Sequence, residues 1–247
     1  MYMKTLKPVA LTIFLLSVFF CISPMYGENA IMITPLEELN SNNKFILDIK
    51  QMILTNDEYS QSRALSALEK IISQELYNSI ETELISILHH ICTNRELQNT
   101  DTNNFYIRKK GIELIRRLGM KTRDKDVSRM LEYLLIKQLP LEKDITCASS
   151  IIFSLGMMGS GNTGSGNTGQ IIQAIAAAVD TWTLHTRDKE FAFAVITSIE
   201  NLAHKNNGIQ EEEVYTTLIK IMQSTNDDLL RKKSLEVMNL LVTYGDR

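Results

Sequence analysis

Apolar side chains return at steps of three and four residues along almost the whole chain from residue 43 onward, with charged and hydroxyl side chains between them. Each residue of a helix advances about 100° around its axis, so this spacing gathers the apolar groups into one stripe. The clearest unit is YIRKKGIELIRRLG, Tyr106 to Gly119, in which the small Gly111 is followed by apolar Ile112, Leu114, Ile115 and Leu118. Four further segments fit the same frame: SRALSALEKI around Ala64, ITCASSIIFSLG around Ala148, AFAVITSIENLA around Val195 and LLRKKSLEVMNLLV around Ser234. Their equivalent leucine-type positions are Ile71, Leu118, Leu155, Leu202 and Leu241, separated by 47, 37, 47 and 39 residues. Each segment has a helical partner upstream, at Asn43 to Leu54, Leu76 to Ile91, Val127 to Leu139, Gln170 to Trp182 and Glu211 to Gln223. The pattern predicts an all-α chain of about five antiparallel helix pairs. A single pair cannot bury its own stripe, so the pairs must stack.

The second helix of each unit resembles that of the HEAT-repeat, armadillo-type family, which carries a basic residue, then a small residue, then a Leu-x-x-Leu-Gly-like ending. Arg108, Gly111, Ile115, Leu118 and Gly119 match this, as do Arg231, Ser234, Met238 and Leu241. Two units depart from it: Ile145 stands at the basic position of the third, and Val195 at the small position of the fourth. The resemblance implies an α-solenoid over residues 43–244 that acts by binding a protein partner, with the second helices lining its concave side. A few enzymes share that scaffold, so an enzyme on a HEAT-like frame is the alternative.

In this frame the positions of the second helices that point away from the stripe are mostly polar: Ser62, Ser66, Glu69; Lys109, Glu113, Arg116; Thr146, Ser150, Phe153; Phe193, Thr197, Glu200; Lys232, Glu236, Asn239. Phe153 and Phe193 are the exceptions. They read either as aromatic anchors of an interface or as core residues of a locally shifted frame. The candidate binding set is therefore Phe153, Phe193, Lys109, Arg116, Glu200 and Lys232. The basic run Arg108, Lys109, Lys110, Arg116, Arg117, Lys121, Arg123 and Lys125 is the strongest local charge feature. It reads as a polyanion-binding patch or, more simply, as a solvated helix face partly paired with Asp124 or Asp126.

Composition agrees with long helices: 44% of the residues are hydrophobic and only four are proline. The first 27 residues stand apart. Lys4 and Lys7 precede the weakly polar to apolar run Val9 to Ile22, and the breaker SPMYG follows, which is the layout of a secretory signal. Its fourteen residues make about 21 Å of helix, short of a hydrocarbon core of about 30 Å. Residues 1–27 are therefore expected to be a cleaved signal peptide and 28–42 a linker, giving an exported, periplasmic or extracellular protein. Retention of the segment would instead tether the chain to a membrane as an assembly factor. Cys21 is preceded by the bulky Val18, Phe19 and Phe20, unlike a lipid-attachment site. Removal of residues 1–27 takes two lysines and no acid from a chain with net charge −3, leaving −5, which argues against a nucleic-acid partner.

No segment carries a reaction signature, so the expectation is a non-catalytic protein without cofactor or metal. GSGNTGSGNTG, Gly159 to Gly169, contains G-x-G-x-x-G twice, yet it follows a helical rather than a strand pattern and looks like a duplicated pentad. Residues 157–169 are expected to be a flexible inter-repeat loop that tolerates shortening by five residues. His89 and His90 are adjacent, so they point about 100° apart on a helix and do not share a metal with Cys92. Cys92 and Cys147 fall in neighbouring units where a disulfide is conceivable. Trp182 and His185 close the fourth first helix, most simply as packing residues.

Overall fold

The computed structural model describes residues 43–55, 57–77, 80–93, 104–159, 167–182 and 188–245. The chain divides into two units, Met1–Met32 and Ile33–Arg247, and every described residue belongs to the second. The signal-like segment, Cys21, the linker to residue 42, His185 and the centre of the glycine-rich stretch, 160–166, lie outside the described residues.

Among the described residues there are ten α-helices and no strand. They are α1 (Lys44–Leu54), α2 (Glu58–Ser73), α3 (Glu81–Thr93), α4 (Asn104–Lys121), α5 (Lys125–Gln138), α6 (Ile145–Met158), α7 (Asn167–Thr181), α8 (Lys189–Asn206), α9 (Glu213–Ser224) and α10 (Asp228–Gly245), with one 3-10 turn at Leu139–Leu141. All ten correspond to helices expected from the apolar spacing. Short acidic or amide side chains start many of them by accepting the orphan N–H groups of the first turn. Asp57 accepts from Ser60 N at 2.8 Å, Asp124 from Asp126 N at 2.8 Å, Asp144 from Cys147 N at 2.9 Å, Asp188 from Glu190 N at 2.9 Å and Asp227 from Leu229 N at 2.9 Å. Asp124 is thus a helix cap rather than a partner for the basic run. Helix α8 ends where Asn207 adopts a left-handed backbone, φ 54°, and Gly208 follows at φ 118°.

The helices form two layers. The even-numbered helices α2, α4, α6, α8 and α10 pack each on the next, the odd-numbered ones do the same, and each odd helix also packs on the even one that follows it. One apolar core runs between the layers. Its seam is the predicted frame: Ala64, Gly111, Ala148, Val195 and Ser234 are buried, as are Ile71, Leu118, Leu155, Leu202 and Leu241. The small positions matter because backbones come close there. A Cβ on Gly111 would stand 2.5 Å from Ile91 Cγ2 of α3. On Gly156 it would stand 2.4 Å from Ser198 Cα, and Ser198 Oγ in turn lies 2.8 Å from the Ile152 carbonyl across the α6–α8 seam.

The glycine-rich stretch is shorter as a loop than its composition suggests. Met157 and Met158 end α6, while Asn167, Thr168 and Gly169 form the first turn of α7. That turn is held in place: Asn167 Nδ2 donates to Glu132 Oε2 at 3.2 Å, and Thr168 Oγ1 lies 3.2 Å from Asn206 Oδ1. The second pentad therefore contributes helix and contacts through Asn167 and Thr168.

Candidate functional site

The fifteen outward positions of the even-numbered helices share one face, and none of them is buried. Where α4, α6 and α8 meet, that face sinks into a groove of about 230 Å³. Its floor is Ser149, Ser150, Phe153 and Ser154 of α6; Lys109, Glu113 and Arg116 of α4 form one wall, and Glu190 and Ala194 of α8 the other. Lys109 Nζ reaches Glu190 Oε1 at 3.0 Å, an ion pair that passes from α4 to α8 over α6. The floor is made of hydroxyls because Ser149, Ser150 and Ser154 each donate to a carbonyl one turn back, at 2.7, 2.9 and 2.7 Å. Phe153 lies half-buried against the core, and the Arg116 guanidinium sits over its ring, 5.7 Å from the centroid. That is cation–π range.

The basic run is largely neutralised. Lys110 is 3.1 Å from Glu69 and 3.3 Å from Glu113; Arg117 is 2.6 Å from Glu69 and also pairs with Glu113. Burial pushes the Glu113 carboxyl up, but Arg117 and Lys110 more than offset this and hold it below the usual carboxylate range. Lys121 meets Glu75 at 3.3 Å. Arg108 is not on the surface at all. Its side chain is 4% exposed and pairs with Glu142, itself 1% exposed, in the connection between α5 and α6. The partners of the run are thus Glu69, Glu75, Glu113, Glu142 and Glu190, from other helices and connections as well as its own. Arg116 has no carboxylate partner among the described residues, and Arg123 and Lys125 are exposed at the turn into α5.

Of the candidate binding residues, the fold brings Lys109, Arg116 and Phe153 together. Phe193 is 53% exposed on the same layer but does not line the groove. Glu200 pairs with Lys233 at 2.6 Å and Lys232 lies 3.9 Å from Glu236, both beyond the groove toward α10. Glu190, Ala194, Ser149 and Ser154 line the groove although sequence reasoning did not single them out. The only signal for Glu190 was its place in the first turn of α8, two residues after the Asp188 cap.

Cys92 and Cys147 are buried free thiols, with no disulfide between them. Burial pushes both thiols up, Cys147 to about 12. His89 and His90 are half-buried on α3, and burial, aided by the charge of His90, lowers the proton affinity of His89. Trp182 packs against the core at the end of α7. Among the described residues no helix is long and apolar enough to cross a membrane. Comparison with protein-family models, with characterised proteins and with solved structures yields no match.

Proposed function

We propose that the chain is an exported, non-catalytic binding scaffold, a HEAT-like α-solenoid of five helix pairs that holds a partner protein on the face of its even-numbered helices. The observation that carries this reading is the contrast within those helices. The small and leucine-type positions of the inward frame are buried, whereas none of the fifteen outward positions is, and among these Phe193 is exposed. Phe193 lies on a face whose other side chains are mostly charged or hydroxyl-bearing, and aromatic side chains dominate the energy of desolvated contacts. The layered order of the helices, each packed on the next, supports the solenoid architecture. Export rests on the sequence of residues 1–27 alone.

Site-specific photo-crosslinking tests the face. A benzophenone side chain at position 193 is expected to capture a partner, whereas the same group at Gln173, exposed on α7 of the other layer, is not. Equal capture at both positions refutes the assignment. Mass determination of the mature N-terminus tests export, with a start near residue 28 as the expected result.

A further inference from the structure

The charges around the groove do not cancel, and the remainder points to what the groove takes. Lys109 is matched by Glu190, and the four charges of Lys110, Arg117, Glu69 and Glu113 balance one another. Arg116 is left over: among the described residues no carboxylate meets it. The Phe153 ring beneath the guanidinium supports a planar fork of N–H donors suited to a carboxylate. On the floor, the hydroxyl proton of the partly exposed Ser150 is spent on a backbone carbonyl, so its oxygen is left as an acceptor for an N–H group. At about 230 Å³ the space falls below the roughly 300–1,000 Å³ of small-molecule sites and holds one or two side chains. A polyanion such as nucleic acid needs several uncompensated cations, and among the described residues the groove supplies one, Arg116.

We infer that the α4–α6–α8 groove receives an extended, acidic peptide segment of the partner, with an Asp or Glu carboxylate paired to Arg116 and an adjacent apolar side chain against Phe153. This rests on the binding-face reading above. It adds a sequence preference to that reading: an acid next to an apolar residue.

The test pans a phage-displayed library of random dodecapeptides on the full chain, then measures the selected peptides by fluorescence anisotropy. Selected sequences are expected to carry Asp or Glu beside an aromatic or aliphatic residue. Arg116→Gln is expected to weaken them about tenfold or more, and Arg116→Lys to restore only part of the loss. Replacing the peptide's acid by its amide should cost as much as Arg116→Gln, with no further loss when both changes are combined. Arg116 is partly exposed and has no ion pair among the described residues, so the melting temperature of Arg116→Gln serves as the folding control. Ser150→Trp, which fills the floor, separates the two levels of the reading. Peptides blocked by Ser150→Trp but indifferent to Arg116→Gln overturn the acid pairing and leave the face standing. Peptides indifferent to both overturn the acid pairing and count against the face as well. Failure to enrich acidic peptides above a control protein also overturns the acid pairing.

Discussion

Breaking the buried pair of Arg108 and Glu142 offers the sharpest test of how the helix pairs are joined. Both side chains are nearly inaccessible, at 4% and 1% exposure. Glu142 Oε1 accepts not only from Arg108 Nη1 but also from the backbone N–H groups of Lys143 at 2.9 Å and Asp144 at 3.0 Å. The carboxylate therefore shapes the entry to α6, which floors the groove, and ties it to α4. Glu142→Gln keeps a neutral acceptor for the two N–H groups but strands a buried guanidinium, which costs about 3–5 kcal/mol. Arg108→Met strands the carboxylate instead. Its two backbone donors remain, so the cost falls at the lower end, about 3 kcal/mol. The double variant Arg108→Met/Glu142→Gln leaves no buried charge. Moreover, Arg108 Nε and Glu142 Oε2 find no hydrogen-bond partner among the described residues, so the pair that is lost is an imperfect one. The double variant should lose clearly less than the two single variants together, because neither charge is left buried without its partner, although the amide at position 142 is still a buried polar group. Urea unfolding followed by far-ultraviolet circular dichroism measures all four proteins. Single-variant losses that add to within about 0.5 kcal/mol in the double variant would refute the coupling, as would a Glu142→Gln protein as stable as the wild type.

Gly156→Ala should cost about 1–3 kcal/mol or more in urea unfolding, because the new methyl meets Ser198 backbone at 2.4 Å and the α6–α8 seam must open; an unchanged midpoint would contradict the close approach. Phe191→Ala, which empties a fully buried site, should cost about 3–5 kcal/mol, while Phe193→Ala two residues on should stay within about 0.5 kcal/mol, so similar losses at both positions would place Phe193 in the core. Burial raises the Glu132 carboxyl, against smaller opposing effects of Asn167, Lys205 and Arg129. A raised folded-state value gives stability that is full below the unfolded value of about 4.3 and lost as pH rises through the folded one. Glu132→Gln keeps an acceptor for Asn167 and should therefore match or exceed the wild type at neutral pH in thermal melts, with the difference shifting in favour of the wild type toward pH 4; a variant markedly less stable at pH 7 than at pH 4 relative to wild type would reverse that sign. Cys92 and Cys147 should react with a disulfide-forming dye only when the chain unfolds in urea, and immediate reaction in buffer would show that they are not buried as described.

Helix count, pairing and the inward frame were legible in the sequence, because a buried stripe is a local periodic property: Gly111, Leu118, Ala148 and Leu155 declare themselves by what lies three and four residues away. The Asp caps at 57, 144, 188 and 227 act on the turn that follows each of them, a local signal that the apolar spacing does not use. The ion pairs and side-chain hydrogen bonds between helices were not legible. Arg108 falls on the buried stripe by its spacing, three residues before Gly111 and seven before Ile115, but its partner Glu142 lies in a connection far along the chain, which that spacing does not identify. The same limit hid the role of Asn167, which looked like loop composition until α7 placed it against Glu132. The groove itself is a product of three helices meeting, so its far wall, Glu190 and Ala194, could not be read from the face of α4 or α6. The sequence by itself determined which residues are buried within each helix, since amphipathic burial is set by spacing along one chain segment. Only the tertiary structure decided which charges remain unmatched, because ion pairing depends on distances between segments, and that accounting singles out Arg116 within the groove.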